Sequence, residues 1–210
     1  MIYEFCAENF TLIEKAMEAG ARRIELCDNL AVGGTTPSYG VTKAAVELAA
    51  NYETTIMTMI RPRGGDFVYT NQEVAIMLDD IRLTAQAGSQ GVVFGALTAD
   101  NKLDKFNLEK LIAASNGMEI VFHMAFDELS DQDQLEAIDW LSQAGVKRIL
   151  TRAGVSGDSL EKRFSRYQRL LDYATGKIEI LPGGAIDMDN LQEFIDRLGV
   201  NQLHGTKVVF

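Results

Sequence analysis

Cysteine is nearly absent from this chain: Cys6 and Cys27 are the only two in 210 residues. So few thiols exclude a small fold stapled by several disulfides. Proline is scarce as well, with three scattered copies, and no Pro- or Ser-rich linker divides the chain. No apolar run approaches the ~20 residues that cross a bilayer, so the sequence predicts no membrane partner. Positive charge is in deficit, with 20 Lys and Arg against 30 Asp and Glu, a net charge of −10 and a pI near 4.7. That balance repels a polyanion and argues against nucleic acid. The opening MIYEFCAEN lacks the basic start and apolar core of a secretion signal. The expected compartment is therefore the cytoplasm, where the two thiols stay reduced rather than forming a disulfide.

What is present is enough apolar material for one well-cored domain over residues 1–210: 47% of residues are hydrophobic and 24% charged. An internal echo organises it. EAGARRIEL, AQAGSQGVVFG, SQAGVKRILT and DRLGVNQLHG each carry a helix-like run, a Gly and then an apolar strand start. The glycines are Gly20, Gly88, Gly145 and Gly199, and each reads as a left-handed helix cap. Further β-rich runs lie at IYEFC, TTIMTMI, MEIVFHM and KIEILPG. Together they predict eight strands, near 2–6, 23–27, 55–60, 91–95, 119–123, 147–151, 177–182 and 202–205.

Helical patterns fill the intervals. Leu12, Ile13, Ala16 and Met17 have the spacing of one helix face. Thr70 with Glu73 is a capping-box signature, and Asp187 is the expected cap of MDNLQEFIDRL. Leu135, Ile138, Trp140 and Leu141 are expected to line a core-facing helix. Eight strands alternating with seven helices predict a (β/α)8 TIM-type barrel, with the last helix missing or truncated after LHGTKVVF. An open doubly wound sheet is the alternative.

A barrel strand turns apolar residues outward to the helices, and alternate residues share a face. In IELC, Ile24 and Leu26 go out, so Glu25 and Cys27 go in; in YEFC, Glu4 and Cys6 go in. Buried carboxylates need partners. Arg61, Arg63, His123, Arg152 and His204 are available at the same end of the barrel, where barrel enzymes carry their chemistry.

IELCDNLAVGGTTPSYGV, IRPRGGDF, FGALT, FHMAFD and LPGGAI occur in this order, and together they resemble the CutC family of copper homeostasis proteins over nearly the whole chain, Glu4 to His204. The resemblance implies a (β/α)8 barrel, a cytoplasmic location and a role in copper handling. It also implies Cys6 and Cys27 as Cu(I) ligands, since they match the family's cysteine positions. This chain departs from the family pattern at Met124, where Arg is usual, and at Arg152–Ala153, where Ser-Gly is usual. The family also has a longer C-terminal segment. Arg152 is read as a positional exchange of the missing charge at 124.

Two thiolates suit Cu(I), a soft ion; the alternative is that both cysteines fill the lumen as small apolar residues. Met57 and Met59 read as core. A second function class is an enzyme acting on a small anionic or phosphorylated metabolite. Its binding residues would be Arg61, Arg63, Asp66, Arg152, Gly183, Gly184 and His204. His123 with Asp127 or Glu25 would move protons. The structural alternative is that Gly183 and Gly184 only make a turn and that Arg61 and Arg63 neutralise Glu4 and Glu25. A homodimer is expected for such a barrel.

Overall fold

A computed structural model describes residues 1–155 and 157–210. Eight strands form one parallel sheet: β1 (Ile2–Glu8), β2 (Arg23–Cys27), β3 (Thr55–Met59), β4 (Gly91–Phe94), β5 (Glu119–Phe122), β6 (Arg148–Thr151), β7 (Glu179–Pro182) and β8 (Gln202–Gly205). The helices between them are α1 (Ile13–Glu18), α2 (Tyr39–Ala49), α3 (Asn71–Ala87), α4 (Lys105–Ala114), α5 (Asp131–Gln143), α6 (Leu160–Ala174) and α7 (Leu191–Leu198). Strand order is β7-β6-β5-β4-β3-β2-β1-β8, so β8 pairs with β1 and the sheet curls into a nearly closed TIM-type barrel. The open sheet is overturned because β7 and β8, the two ends of that order, lie against each other. At the β7–β8 seam a side chain bridges the strands, with Gln202 Nε2 donating to Glu179 Oε2 at 3.2 Å.

The four echoed glycines all have positive φ, between 62° and 103°, which lets the chain leave a helix without a Cβ clash. The Thr70–Glu73 capping box forms as the sequence predicts. Three local expectations are corrected. Leu12 is not on the face of α1; it precedes the helix in a left-handed conformation, and its side chain is exposed. Asp187 does not cap α7, which starts after Asn190; its Oδ1 instead accepts from Asp189 N in the preceding turn. Trp140 is half-buried at the edge of the core rather than within it, 5.9 Å below Lys105 Nζ.

Apolar burial falls into three groups. Two lie between barrel and helices: one spreads over β4–β8 and α3–α7, the other joins β1–β3 to α1 and α2. Phe5, Ile24 and Leu26 belong to the second, on the outward face where the alternation puts them. Phe210 stacks on Phe5 with ring centroids 5.4 Å apart, so the tail after β8 covers part of the face that an eighth helix would occupy. The third group is the lumen: Cys6, Cys27, Met57, Met59, Val93, Val121, Leu150 and Leu181, with Leu30 and Met124 packed against it.

Candidate metal centre and barrel mouth

Register fixes how the inward side chains of β1 and β2 meet. Glu4 faces Arg23, Cys6 faces Glu25, and Glu8 faces Cys27. The two thiols are therefore offset by one inward layer, with Glu25 beside both. Cys6 Sγ lies 3.3 Å from Glu25 Oε2, and Cys27 Sγ lies 3.6 Å from the same oxygen. The two sulfurs and the carboxylate are mutually within 4.8 Å, and all three residues are buried. Both cysteines are free thiols.

β8 closes this cluster from the other side. His204 places Nδ1 2.8 Å from Glu4 Oε1 and Nε2 3.6 Å from Glu25 Oε2. Arg23 Nε donates to Glu4 Oε2, and Arg23 Nη2 donates to Gln202 Oε1 at 2.8 Å. The partners of the buried carboxylates are thus Arg23 and His204, not Arg61 and Arg63. Arg23 escaped the sequence reading although its signal was there: it stands two residues before Glu25 and shares its face.

Electrostatics follows from this packing. Burial raises the pKa of Glu4, but Arg23 and His204 more than offset it and hold the carboxyl down at about 2. Glu25 faces His204 at the longer 3.6 Å, and there burial outweighs the imidazole and, with Cys6 and Glu4 beside it, pushes the carboxyl well up. Burial works against charge on His204, yet Glu25, Cys6 and Glu4 together raise its pKa. The hydrogen bond from Cys27 pulls the Cys6 thiol down, with His204 adding to the effect, while the same bond and burial push Cys27 up. One of two adjacent sulfurs is thus biased toward thiolate, the form that binds metals.

The mouth residues spread into separate settings. Arg61 is buried and donates to three carbonyls: Nη1 to Val32 O and Gly34 O, and Nη2 to Gly65 O. Arg63 turns outward to Glu73, Asp66 Oδ1 and the Val68 carbonyl, and Asp66 is consumed by that latch. His123 Nδ1 accepts from Ala125 N at 3.2 Å. Asp127 accepts from Thr151 Oγ1 and from Arg152 N, so the expected His123–Asp127 pair does not form. Glu25 also lies with the thiols rather than with His123.

Arg152 Nη2 lies 3.4 Å from Met124 Sδ, and its Nε is 3.9 Å from Asp127 Oδ2. The two departures from the family pattern are therefore in contact, as a charge exchange between them requires. Gly183 N donates to Thr151 O and to Tyr167 Oη, which leaves it no proton for an anion. The carbonyls of Gly183 and Gly184 are gripped by Arg163 from α6. The reading of these glycines as a turn held in place accounts for every bond seen there. His204 turns its ring nitrogens to Glu4 and Glu25, while its Cδ2 edge lies against Gly183, where a Cβ would be 3.2 Å away.

A model of the CutC family matches residues 1–209. The chain belongs to the CutC family. It is 50% identical over 209 residues to a CutC family protein of Enterococcus faecalis, covering 100% of both. It is 38% identical over 203 residues to a human protein named copper homeostasis protein cutC homolog, covering 97% of this chain and 72% of that one. A CutC crystal structure from Streptococcus agalactiae superposes with a TM-score of 0.95 at 42% identity, covering 99% of each chain. Among the described residues no helix is long and apolar enough to cross a membrane.

Proposed function

We propose that this CutC protein takes part in copper homeostasis in the cytoplasm and holds Cu(I) as cargo between Cys6 and Cys27. The observation that carries this reading is the convergence of two free, buried thiols on neighbouring strands. The surroundings favour a soft monovalent ion. The walls beside the sulfurs are thioether and aliphatic, from Met57, Met59, Val93 and Leu181. Arg23 and His204, whose pKa its acidic neighbours raise, stand on the carboxylate side of the cluster, which disfavours a hard divalent cation there. Structural zinc needs four ligands, and among the described residues the metal-capable groups come together here in threes, Cys6, Glu25 and Cys27 on one side and Glu4, Glu25 and His204 on the other.

Anaerobic titration of the reduced protein with Cu(I) against a competing chelator tests this. Cys27→Ser and Cys6→Ser are each expected to weaken binding by at least tenfold. Equal affinity in wild type and both variants would remove the thiols from the site.

A further inference from the structure

A separate cluster lies at the mouth of β3, β4 and β5, and it does not depend on the copper reading. Met59 is in register with Val93, and Val93 with Val121, as one inward layer. Two residues further on stand Arg61, Gly95 and His123, which therefore fill the next inward layer. Gly95 makes room for its neighbour: a Cβ there would be 2.7 Å from His123 Nδ1. The ring of Phe67 lies 4.9 Å from Arg61 Cζ and 4.8 Å from the His123 ring, so it contacts both. Tyr69, from the same loop as Phe67, is buried, and the Arg61 charge works against the rise that burial gives its hydroxyl pKa.

Each of these side chains has one buried polar atom without a hydrogen-bond partner among the described residues: Arg61 Nε, Tyr69 Oη and His123 Nε2. Arg61 is 4% exposed, His123 4% and Tyr69 8%, so none of the three meets bulk water freely. All three atoms can donate, and the Tyr69 hydroxyl can also accept. Arg61 Nε carries a proton at any ordinary pH. Because His123 Nδ1 accepts from Ala125 N, the proton of the neutral ring sits on Nε2. Burial and the Arg61 charge hold the His123 pKa down at about 3, which keeps that ring neutral.

Charge balance points the same way. Arg23 and Arg148, the other buried guanidiniums of the barrel interior, pair with Glu4 and with Glu119 and Glu179. Among the described residues the Arg61 guanidinium bonds only to carbonyl oxygens, and the nearby acids Asp66 and Glu73 are committed to Arg63. A buried cation without a counter-charge is costly, as is each unmade buried hydrogen bond. One small anion would relieve both costs.

We propose that Arg61, Tyr69 and His123 form an internal site for a small carboxylate, its oxygens taking Arg61 Nε–H, Tyr69 Oη–H and His123 Nε2–H beside the ring of Phe67. The loop carrying Gly64, Phe67 and Tyr69 covers the site, and entry requires that loop to lift. Arg63, which ties Asp66 and Val68 O to Glu73 at the start of α3, is the latch on it.

Acetate is the probe. Arg61 variants are unsuitable because Arg61 also holds three loop carbonyls. Tyr69→Phe and His123→Phe remove single donors, and Tyr69 Oη has no hydrogen-bond partner to lose among the described residues. Calorimetric titration of the full chain with sodium acetate, at constant ionic strength, should show saturable binding in the millimolar range or tighter. Tyr69→Phe and His123→Phe should each weaken it at least fivefold, and Tyr69→Phe should melt at the wild-type temperature without acetate. A crystal structure grown in acetate should show the carboxylate between the three donors. No saturable binding, equal affinity in wild type and both variants, or a water alone between the donors would overturn the proposal.

Discussion

Cys6 Sγ and Glu25 Oε2 stand 3.3 Å apart at facing positions of β1 and β2, inside the barrel. That relationship joins the two chemistries of the lumen. Below it lies the ionic group of Glu4, Arg23 and His204; beside it lie Cys27 and the methionines.

Glu4→Gln removes the carboxylate that balances Arg23 and His204 at the base of the lumen. Leaving buried cations unpaired should cost about 3–5 kcal/mol in denaturant unfolding at neutral pH. The wild-type pH profile should agree. The folded pKa of Glu4 is about 2, below its ordinary 4.5, so the stability it contributes is present above pH 4.5. It is lost as pH falls through that range toward 2. A Glu4→Gln variant with wild-type stability would contradict the ionic account.

Asp127 behaves in the opposite sense. Burial raises its pKa from 3.8 to about 6, although Arg152 N and Thr151 Oγ1 donate to it. The folded state then binds the extra proton between pH 3.8 and 6. Stability from this group is full below 3.8 and declines as pH rises through 6, by on the order of 2–3 kcal/mol. Asp127→Asn should flatten that stretch of the stability curve. An unchanged slope would show that Asp127 does not titrate there.

Gly91 tests the packing of the lumen. It faces Met57 across β3 and β4, and a Cβ there would lie 2.6 Å from Met57 Sδ and 2.7 Å from the Glu119 carbonyl. The sulfur can swing aside, but the backbone carbonyl cannot do so without distorting β5. Gly91→Ala should destabilise the fold by about 1–3 kcal/mol, read by thermal or denaturant melting. A neutral substitution would show that the lumen is looser than these contacts require.

Neither thiol is open to solvent: Cys6 is 7% exposed and Cys27 is fully buried. A bulky aromatic disulfide reagent should label both at the rate of structural opening in native buffer and at once in denaturant. Rapid native labelling of Cys27 would contradict its enclosure under the loop of Gly34, whose position for a Cβ is 3.1 Å from Cys27 Sγ.

The barrel was legible because its two periodicities are local. Gly20, Gly88, Gly145 and Gly199 announce helix ends, and the alternation in YEFC and IELC places each Glu and Cys on the inner face. The pairing of charges was not legible to the same degree, because it depends on which strand closes the barrel. His204 reaches Glu4 and Glu25 because β8 lies beside β1, a contact between chain ends that no local pattern displays. The mouth misled for a related reason. Arg61, Arg63, Gly183 and Gly184 look alike as anion ligands in one dimension. Arg63 turns outward to an acid of its own loop, and Gly183 has given its N–H to Thr151 and Tyr167. His123 and Asp127 sit only four residues apart, yet the short 3-10 turn between them sends one ring toward Phe67 and the other carboxylate toward Thr151.

The central claim is that the two sulfurs hold the copper. X-ray absorption at the copper edge, on the full chain loaded anaerobically with one equivalent of Cu(I), reads the ligand atoms directly. The account predicts Cu(I) in a shell dominated by two sulfurs, lost from the spectrum in Cys6→Ser and in Cys27→Ser. A shell of nitrogen and oxygen alone in the wild type, or a sulfur shell that persists in both variants, would contradict it.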